Sequence, residues 1–132
     1  IFDVAKEFSI PNIITANKIR DLTTGNILRT EIPELTGCFP PSYLQNLKYV
    51  IIDDICDGGR TFVELAKAIK ESNPNNEIHL IVTHGIFSAG LKTLNEYFDG
   101  IYTTNSVVDE TDSDFSIRNQ NYLHKFFQYK II

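Results

Sequence analysis

Tyr49-Val50-Ile51-Ile52-Asp53-Asp54-Ile55-Cys56-Asp57-Gly58-Gly59-Arg60-Thr61 is the stretch on which the reading of this chain turns. Its first four residues form an unbroken apolar run, the mark of a strand covered on both faces. The run ends in two carboxylates, passes through a glycine-containing turn and restarts as a helix. In that helix Phe62, Leu65, Ala66 and Ile69 make an apolar stripe, while Lys67, Lys70 and Glu71 face water. Asn73 to Asn76, with Pro74 among them, close it. A second apolar strand is expected from Ile78 to Val82, followed by a turn at Thr83-His84-Gly85.

The pattern continues outward from this unit. Ser88 is placed to cap the next helix, whose apolar side is Leu91, Leu94 and Phe98. Ile101 to Thr103 reads as a third strand, Val107 to Asp114 as an acidic loop, Phe115 to Ile117 as a last strand and Tyr122 to Phe127 as a terminal helix. On the N-terminal side, Phe2, Ala5 and Phe8 repeat at helical spacing until Pro11, and Asn12 to Ala16 reads as a short buried strand. Asn17 to Arg29 is polar and contains Gly25, as expected of a mobile loop. Ile27 to Leu35 is expected as an extended arm that Pro33 confines to an edge. Pro40-Pro41 starts a turn into a short helix around Tyr43 to Leu47.

Strands alternating with helices predict an α/β fold with a mostly parallel sheet and helices on both faces. In such sheets ligands sit beyond the carboxyl ends of the strands. Asp53 to Thr61 and Thr83 to Gly85 both fall at that edge.

Composition narrows the function classes. The 132 residues suit one domain, 1–132, and a chain of this size buries roughly two-thirds of its unfolded surface. A net charge of −5 argues against a nucleic-acid binder, which carries a basic excess or stripe. No apolar run approaches the roughly 20 residues that span a bilayer, so no membrane partner is expected. Cys38 and Cys56 form no CxxC or Cys/His cluster, which points to packing residues, no metal centre of that kind and a cytoplasmic location. The chain has no methionine and opens directly into a helical pattern, so an internal or processed piece of a longer protein is expected.

The chemistry of the central stretch follows from its residue types. Successive backbone N–H groups through Asp57-Gly58-Gly59-Arg60-Thr61 make an anion cradle that the helix dipole strengthens. Thr61 adds a hydroxyl donor and Arg60 a fixed positive charge. Asp53 and Asp54 repel phosphate but accept hydrogen bonds from sugar hydroxyls, and they can hold Mg²⁺ through water. Hydroxyl acceptors beside an anion cradle suit a phosphorylated sugar. The simpler alternative is that Asp57 caps the helix and the glycines only turn the chain.

Val50 to Thr61 resembles the signature of type I phosphoribosyltransferase folds. Thr83-His84-Gly85-Ile86-Phe87-Ser88 and Tyr102-Thr103-Thr104-Asn105-Ser106 resemble two stretches of ribose-phosphate diphosphokinases, also called phosphoribosyl diphosphate synthetases. The resemblance covers Ile51 to Ser106 and thins before Lys18 and after Val108. It implies transfer of diphosphate from ATP to ribose 5-phosphate with Mg²⁺ as cofactor. It implies that Asp53 and Asp54 bind the ribose hydroxyls and that Asp57, Gly58, Gly59, Arg60 and Thr61 hold the 5-phosphate. Lys18 and Arg20 match a basic pair on the family's mobile loop, which closes over ATP and stabilises charge during transfer. His84 is read as a turn-shaping residue rather than a proton-transfer group.

Two departures stand out. The family has a small residue, commonly glycine, where this chain has Arg60. Its diphosphate-binding loop and ATP-binding half are expected upstream, so the resemblance makes this chain the C-terminal part of a larger enzyme, a homo-oligomer poorly active without its N-terminal half. The alternatives are a phosphoribosyltransferase that consumes phosphoribosyl diphosphate and a non-catalytic regulatory paralogue.

Overall fold

A computed structural model of the chain describes residues 2–7, 9, 12–24, 27–32, 47–109 and 111–129. Along them run α1 (Phe2–Glu7), β1 (Asn17–Arg20), β2 (Ile27–Glu31), β3 (Lys48–Cys56), α2 (Arg60–Ser72), β4 (Glu77–Gly85), α3 (Lys92–Tyr97), β5 (Gly100–Thr104), α4 (Ser113–Asn119), a 3-10 turn at Leu123–Lys125 and β6 (Phe126–Tyr129). β3, β4, β5 and β6 pair in that order, and every pairing is parallel. A helix separates each strand from the next, so the α/β alternation read from the apolar runs is present. β1 and β2 form a separate antiparallel pair with an irregular register between Ile19 and Arg20.

Several expected boundaries move. β3 runs through Asp53 and Asp54 to Cys56, and β4 runs through Thr83 and His84 to Gly85. The pairing Ile55↔His84 and Cys56↔Gly85 keeps both backbones extended where the side chains have turned polar. Asn12 to Ala16 is irregular, and strand structure begins at Asn17 inside the segment expected as a loop. Ser88 does not cap α3; the cap position is Leu91, three residues nearer the helix than expected. Phe115 to Ile117 is helical, because the Asp112 carboxylate accepts from the backbone N–H groups of Asp114 and Phe115 at 2.9 and 3.1 Å and starts α4. The expected terminal helix is a single 3-10 turn followed by β6. There Phe126 is buried and Phe127 is 45% exposed, the period-two pattern of a strand. The turn at Pro40-Pro41 and the helix around Tyr43 lie outside the described residues, as does Cys38.

The core lies on one face of the parallel sheet. Ile78 and Leu80 of β4 are 0% exposed, whereas Ile81, pointing the other way, is 39% exposed. Phe62, Ala66 and Ile69 of α2, Leu94 of α3 and Phe115 of α4 pack with Ile78, Leu80, Val82 and Ile101 in one cluster. Each of these side chains larger than that of Ala66, fully buried, contributes about 1.5–3 kcal/mol. The opposite face presents Val50, Ile81 and Phe127 to solvent, with Tyr102 stacked on Phe127 at 4.9 Å between ring centroids.

Polar groups pin the crossovers to this core. Lys125 donates to the carbonyls of Asn95 and Phe98, both at 3.1 Å, and so closes the C-terminal end of α3. Asp99 accepts from the backbone N–H of Ile78 at 2.9 Å. Asn119, 2% exposed, accepts from the Leu91 N–H at 2.8 Å and donates to the Phe115 carbonyl at 2.9 Å, tying α4 to the start of α3. Asn119→Ala removes the partner of a buried amide. We expect it to lower the free energy of unfolding by about 1–3 kcal/mol in urea titrations, with Ser116→Ala, on the same helix, changing it less.

Candidate functional site

The hollow at the end of β3 is built by the turn that joins it to α2. Gly59 sits at the helix cap position with φ +75°, in the left-handed region, and no side chain caps the helix. A Cβ on Gly59 would stand 3.1–3.4 Å from the Leu94 side chain, so both backbone and space select glycine there. The Gly59 carbonyl accepts from the Val63 N–H at 3.0 Å, which leaves the N–H groups ahead of Val63 without an intrahelical acceptor. The first turn carries no acidic residue, and its first residue is Arg60. An uncapped 13-residue helix opening on glycines and a cation is therefore suited to an anion.

Asp53, Ile55, Asp57, Gly58, Gly59, Arg60, Thr61 and Phe62 line this hollow, whose volume is about 370 Å³. Six of the residues singled out in the sequence thus share one space: Asp53, Asp57, Gly58, Gly59, Arg60 and Thr61. Asp57 does not cap α2, contrary to the simpler reading of its position. Gly58 has open space where a Cβ would be added, so packing alone does not require glycine there. Asp54 is not among the lining residues, because neighbours on a strand point to opposite faces. Its backbone N–H donates to the Asp53 carboxylate at 2.9 Å, and its carbonyl accepts from the Thr83 hydroxyl at 2.9 Å. Lys18 and Arg20 lie on β1 rather than in an irregular loop.

The neighbouring strand ends complete the edge. The Cys56 carbonyl accepts from the N–H groups of Ile86 and Phe87 at 2.9 and 3.1 Å. Phe87 adopts φ +49° and is buried against Phe115 and Phe126. A Cβ on Gly85 would come within 2.1 Å of the Phe87 ring, so this close approach demands glycine. His84 lies 2.8 Å from the Thr83 hydroxyl through Nδ1 and takes part in strand pairing rather than in a turn. The Cys56 thiol, next to Asp57 in the chain, is buried. Burial first, then the charges of Asp57 and Asp53, push its pKa up to about 12, so it is no nucleophile at neutral pH. The hydroxyls of Thr83, Thr104 and Ser106 were given no role by sequence reasoning. Their signal was a run of Thr and Ser at the carboxyl ends of two adjacent strands.

No family model matches the chain. Comparison with curated proteins does find relatives. Over 89 residues, 67% of this chain, it is 36% identical to the ribose-phosphate pyrophosphokinase of Mycoplasmopsis pulmonis, of which it spans 25%. It is also 36% identical over 63 residues to a Lactococcus lactis protein named "putative ribose-phosphate pyrophosphokinase 2", and 40% identical over 53 residues to a protein of that name from Streptococcus agalactiae. These matches cover 46% and 40% of this chain and 19% and 16% of the two relatives. Over these spans the chain is similar to ribose-phosphate pyrophosphokinases. It spans a quarter or less of the length of these pyrophosphokinase relatives.

Gly59 gives the site a test that needs no ligand. Gly59→Ala forces a side chain into left-handed backbone and against Leu94. The expected cost is about 1–3 kcal/mol of stability, measured by thermal or urea unfolding, whereas Gly58→Ala, with open space around it, leaves stability within about 1 kcal/mol of the parent.

Proposed function

We propose that this chain is the sugar-phosphate-binding domain of a ribose-phosphate pyrophosphokinase, the enzyme that transfers diphosphate from ATP to the anomeric hydroxyl of ribose 5-phosphate. The observation that carries the reading is the single hollow that joins Asp53 to the glycine turn and the uncapped start of α2. The names of the pyrophosphokinase relatives support it.

In this reading the free backbone N–H groups from Gly58 onward and the Thr61 hydroxyl hold the 5-phosphate, and Arg60 adds its guanidinium from the first turn. Asp53, at the strand end of the same hollow, accepts from a ribose hydroxyl. Asp54 shares that sugar-binding task at one remove, through its N–H on the Asp53 carboxylate. Asp57 balances the charge of Arg60 across the turn.

The donor set also bears on Mg²⁺. Among the described residues no three His, Cys, Asp or Glu side chains cluster as a protein cage. Mg²⁺ is commonly held by one or two carboxylates together with water and substrate oxygens, a role that Asp53 fits. When bound, it neutralises charge on the transferring diphosphate. Lys18 and Arg20 are proposed as the cations that close over ATP. ATP itself would be held by an N-terminal half of the longer enzyme, which makes the isolated chain a poor catalyst because both reactants must be aligned.

Titration with ribose 5-phosphate, followed by amide chemical shifts, is expected to move Gly58 to Thr61 first. Shifts confined to another region would overturn the reading. Asp53→Asn keeps shape but removes a charged acceptor, and the dissociation constant is expected to rise about tenfold or more at unchanged melting temperature. Arg60→Gly should also raise that constant while leaving stability equal or slightly higher, since a cation at a helix start opposes the dipole. Tighter binding by the glycine variant would show that Arg60 obstructs the phosphate and would favour a non-catalytic paralogue.

A further inference from the structure

The pairing between β4 and β5 ends early. Backbone register runs His79↔Gly100, Leu80↔Ile101 and Ile81↔Tyr102, although β4 continues to Gly85 and β5 to Thr104. Beyond Ile81, side-chain hydroxyls take over the work of the ladder. Thr103 accepts from the Gly85 N–H at 3.0 Å. The Thr104 and Ser106 hydroxyls both donate to the Thr83 carbonyl, the latter at 2.9 Å, and so use its two lone pairs. The Thr83 hydroxyl in turn donates to the Asp54 carbonyl at 2.9 Å. That hydroxyl has one proton, so His84 Nδ1, 2.8 Å from the same oxygen, must be the donor in its contact.

These bonds form a chain from β5 through β4 to β3. Its last link is Asp54, which is tied on both sides: the carbonyl to Thr83, the N–H to the Asp53 carboxylate. Asp53 is the carboxylate of the β3 pair that lines the hollow, which Asp57 lines from the turn. The backbone of Asp54 is thus joined to the Asp53 carboxylate, while the glycine turn has a separate anchor in the Gly59 carbonyl, which accepts from the Val63 N–H. The register of the sheet does not rest on the hydroxyl alone, since β3 and β4 pair on both sides of Asp54 and Thr83, from Lys48↔Glu77 to Asp53↔Val82 and again at Ile55↔His84 and Cys56↔Gly85.

We propose that Thr83, held by Thr104 and Ser106, is a positioning residue for sugar recognition: it fixes the tip of β3 so that the Asp53 carboxylate meets the ribose hydroxyl. The proposal deepens, and rests on, the ribose 5-phosphate reading of the hollow. It separates the two halves of the ligand, because Thr83 acts on the sugar end and leaves the phosphate end alone.

Thr83→Val removes the hydroxyl at nearly constant shape, and Thr83→Ser restores it. In the ligand-free chain, the amide shifts of Asp54 and Ile55 should move in the valine variant and return in the serine variant. Ribose 5-phosphate should bind the valine variant about tenfold more weakly, the scale of one misplaced charged hydrogen bond, and inorganic phosphate with unchanged affinity. Unmoved Asp54 and Ile55 amides would overturn the proposal whether or not the chain binds a sugar. So would unchanged ribose 5-phosphate affinity, or an equal loss of ribose 5-phosphate and inorganic phosphate. If the parent chain takes up no ribose 5-phosphate, the functional reading falls, and the ligand-free shifts still decide the role of Thr83. Should Thr83→Val fail to fold, Ser106→Ala removes one donor to the Thr83 carbonyl and is judged by the same measurements.

Discussion

Two parallel strands cannot be joined by a tight turn. The chain must leave one strand at its carboxyl end, cross a face of the sheet and enter the next strand from the start. Because such crossovers share one hand, strands laid side by side in chain order send their helices to the same face. β3, β4, β5 and β6 are ordered in this way, and α2, α3 and α4 contribute to one core with the inward residues of the sheet. The other face keeps Val50, Ile81 and Phe127 in water. The same constraint collects the polar strand ends at one edge, where β3 hands over to α2. The place for a ligand is thus a consequence of connectivity before any residue is chosen.

The residues then decide what that edge can bind. Left-handed backbone at Gly59 leads into α2 without a side-chain cap, and Arg60 supplies a cation. The two-residue period of β3 sends Asp53 and Asp54 to opposite sides, so adjacent carboxylates take unequal parts. Asp53 lines the hollow, and the Asp54 N–H donates to its carboxylate. The buried Cys56 thiol, with its raised pKa, serves packing in the core.

Much of this was legible in the sequence because the central unit satisfies several rules at once. Residues 49–52 are continuously apolar, α2 has a clear apolar stripe, and the glycine turn separates them. The strand ends were harder to read. Asp53 to Cys56 and Thr83 to Gly85 look like turns by composition, but each is held extended by the other. The C-terminal third misled for a different reason. Phe115 and Phe126 pack in one aromatic group with Phe87, and short apolar runs of that kind suit a helix or a strand equally well. Asp112 as a cap was the signal that could have placed α4. Of the site, six residues were brought together as expected. Asp54 was not separated from Asp53, because a pair of adjacent aspartates carries no mark of which one lines the hollow.

The order of strands in space, which repeats their order along the chain, also bears on how the domain is made. Each strand after β3 pairs with the one synthesised just before it, so loop-closure entropy stays small at every step. During synthesis the β3–α2–β4 unit, with Asp53 and the glycine turn inside it, can assemble before β5 is available. Thr104 and Ser106 come only with and after β5. Along the chain the glycine turn therefore comes early, and the hydroxyls that hold the Thr83 carbonyl come late.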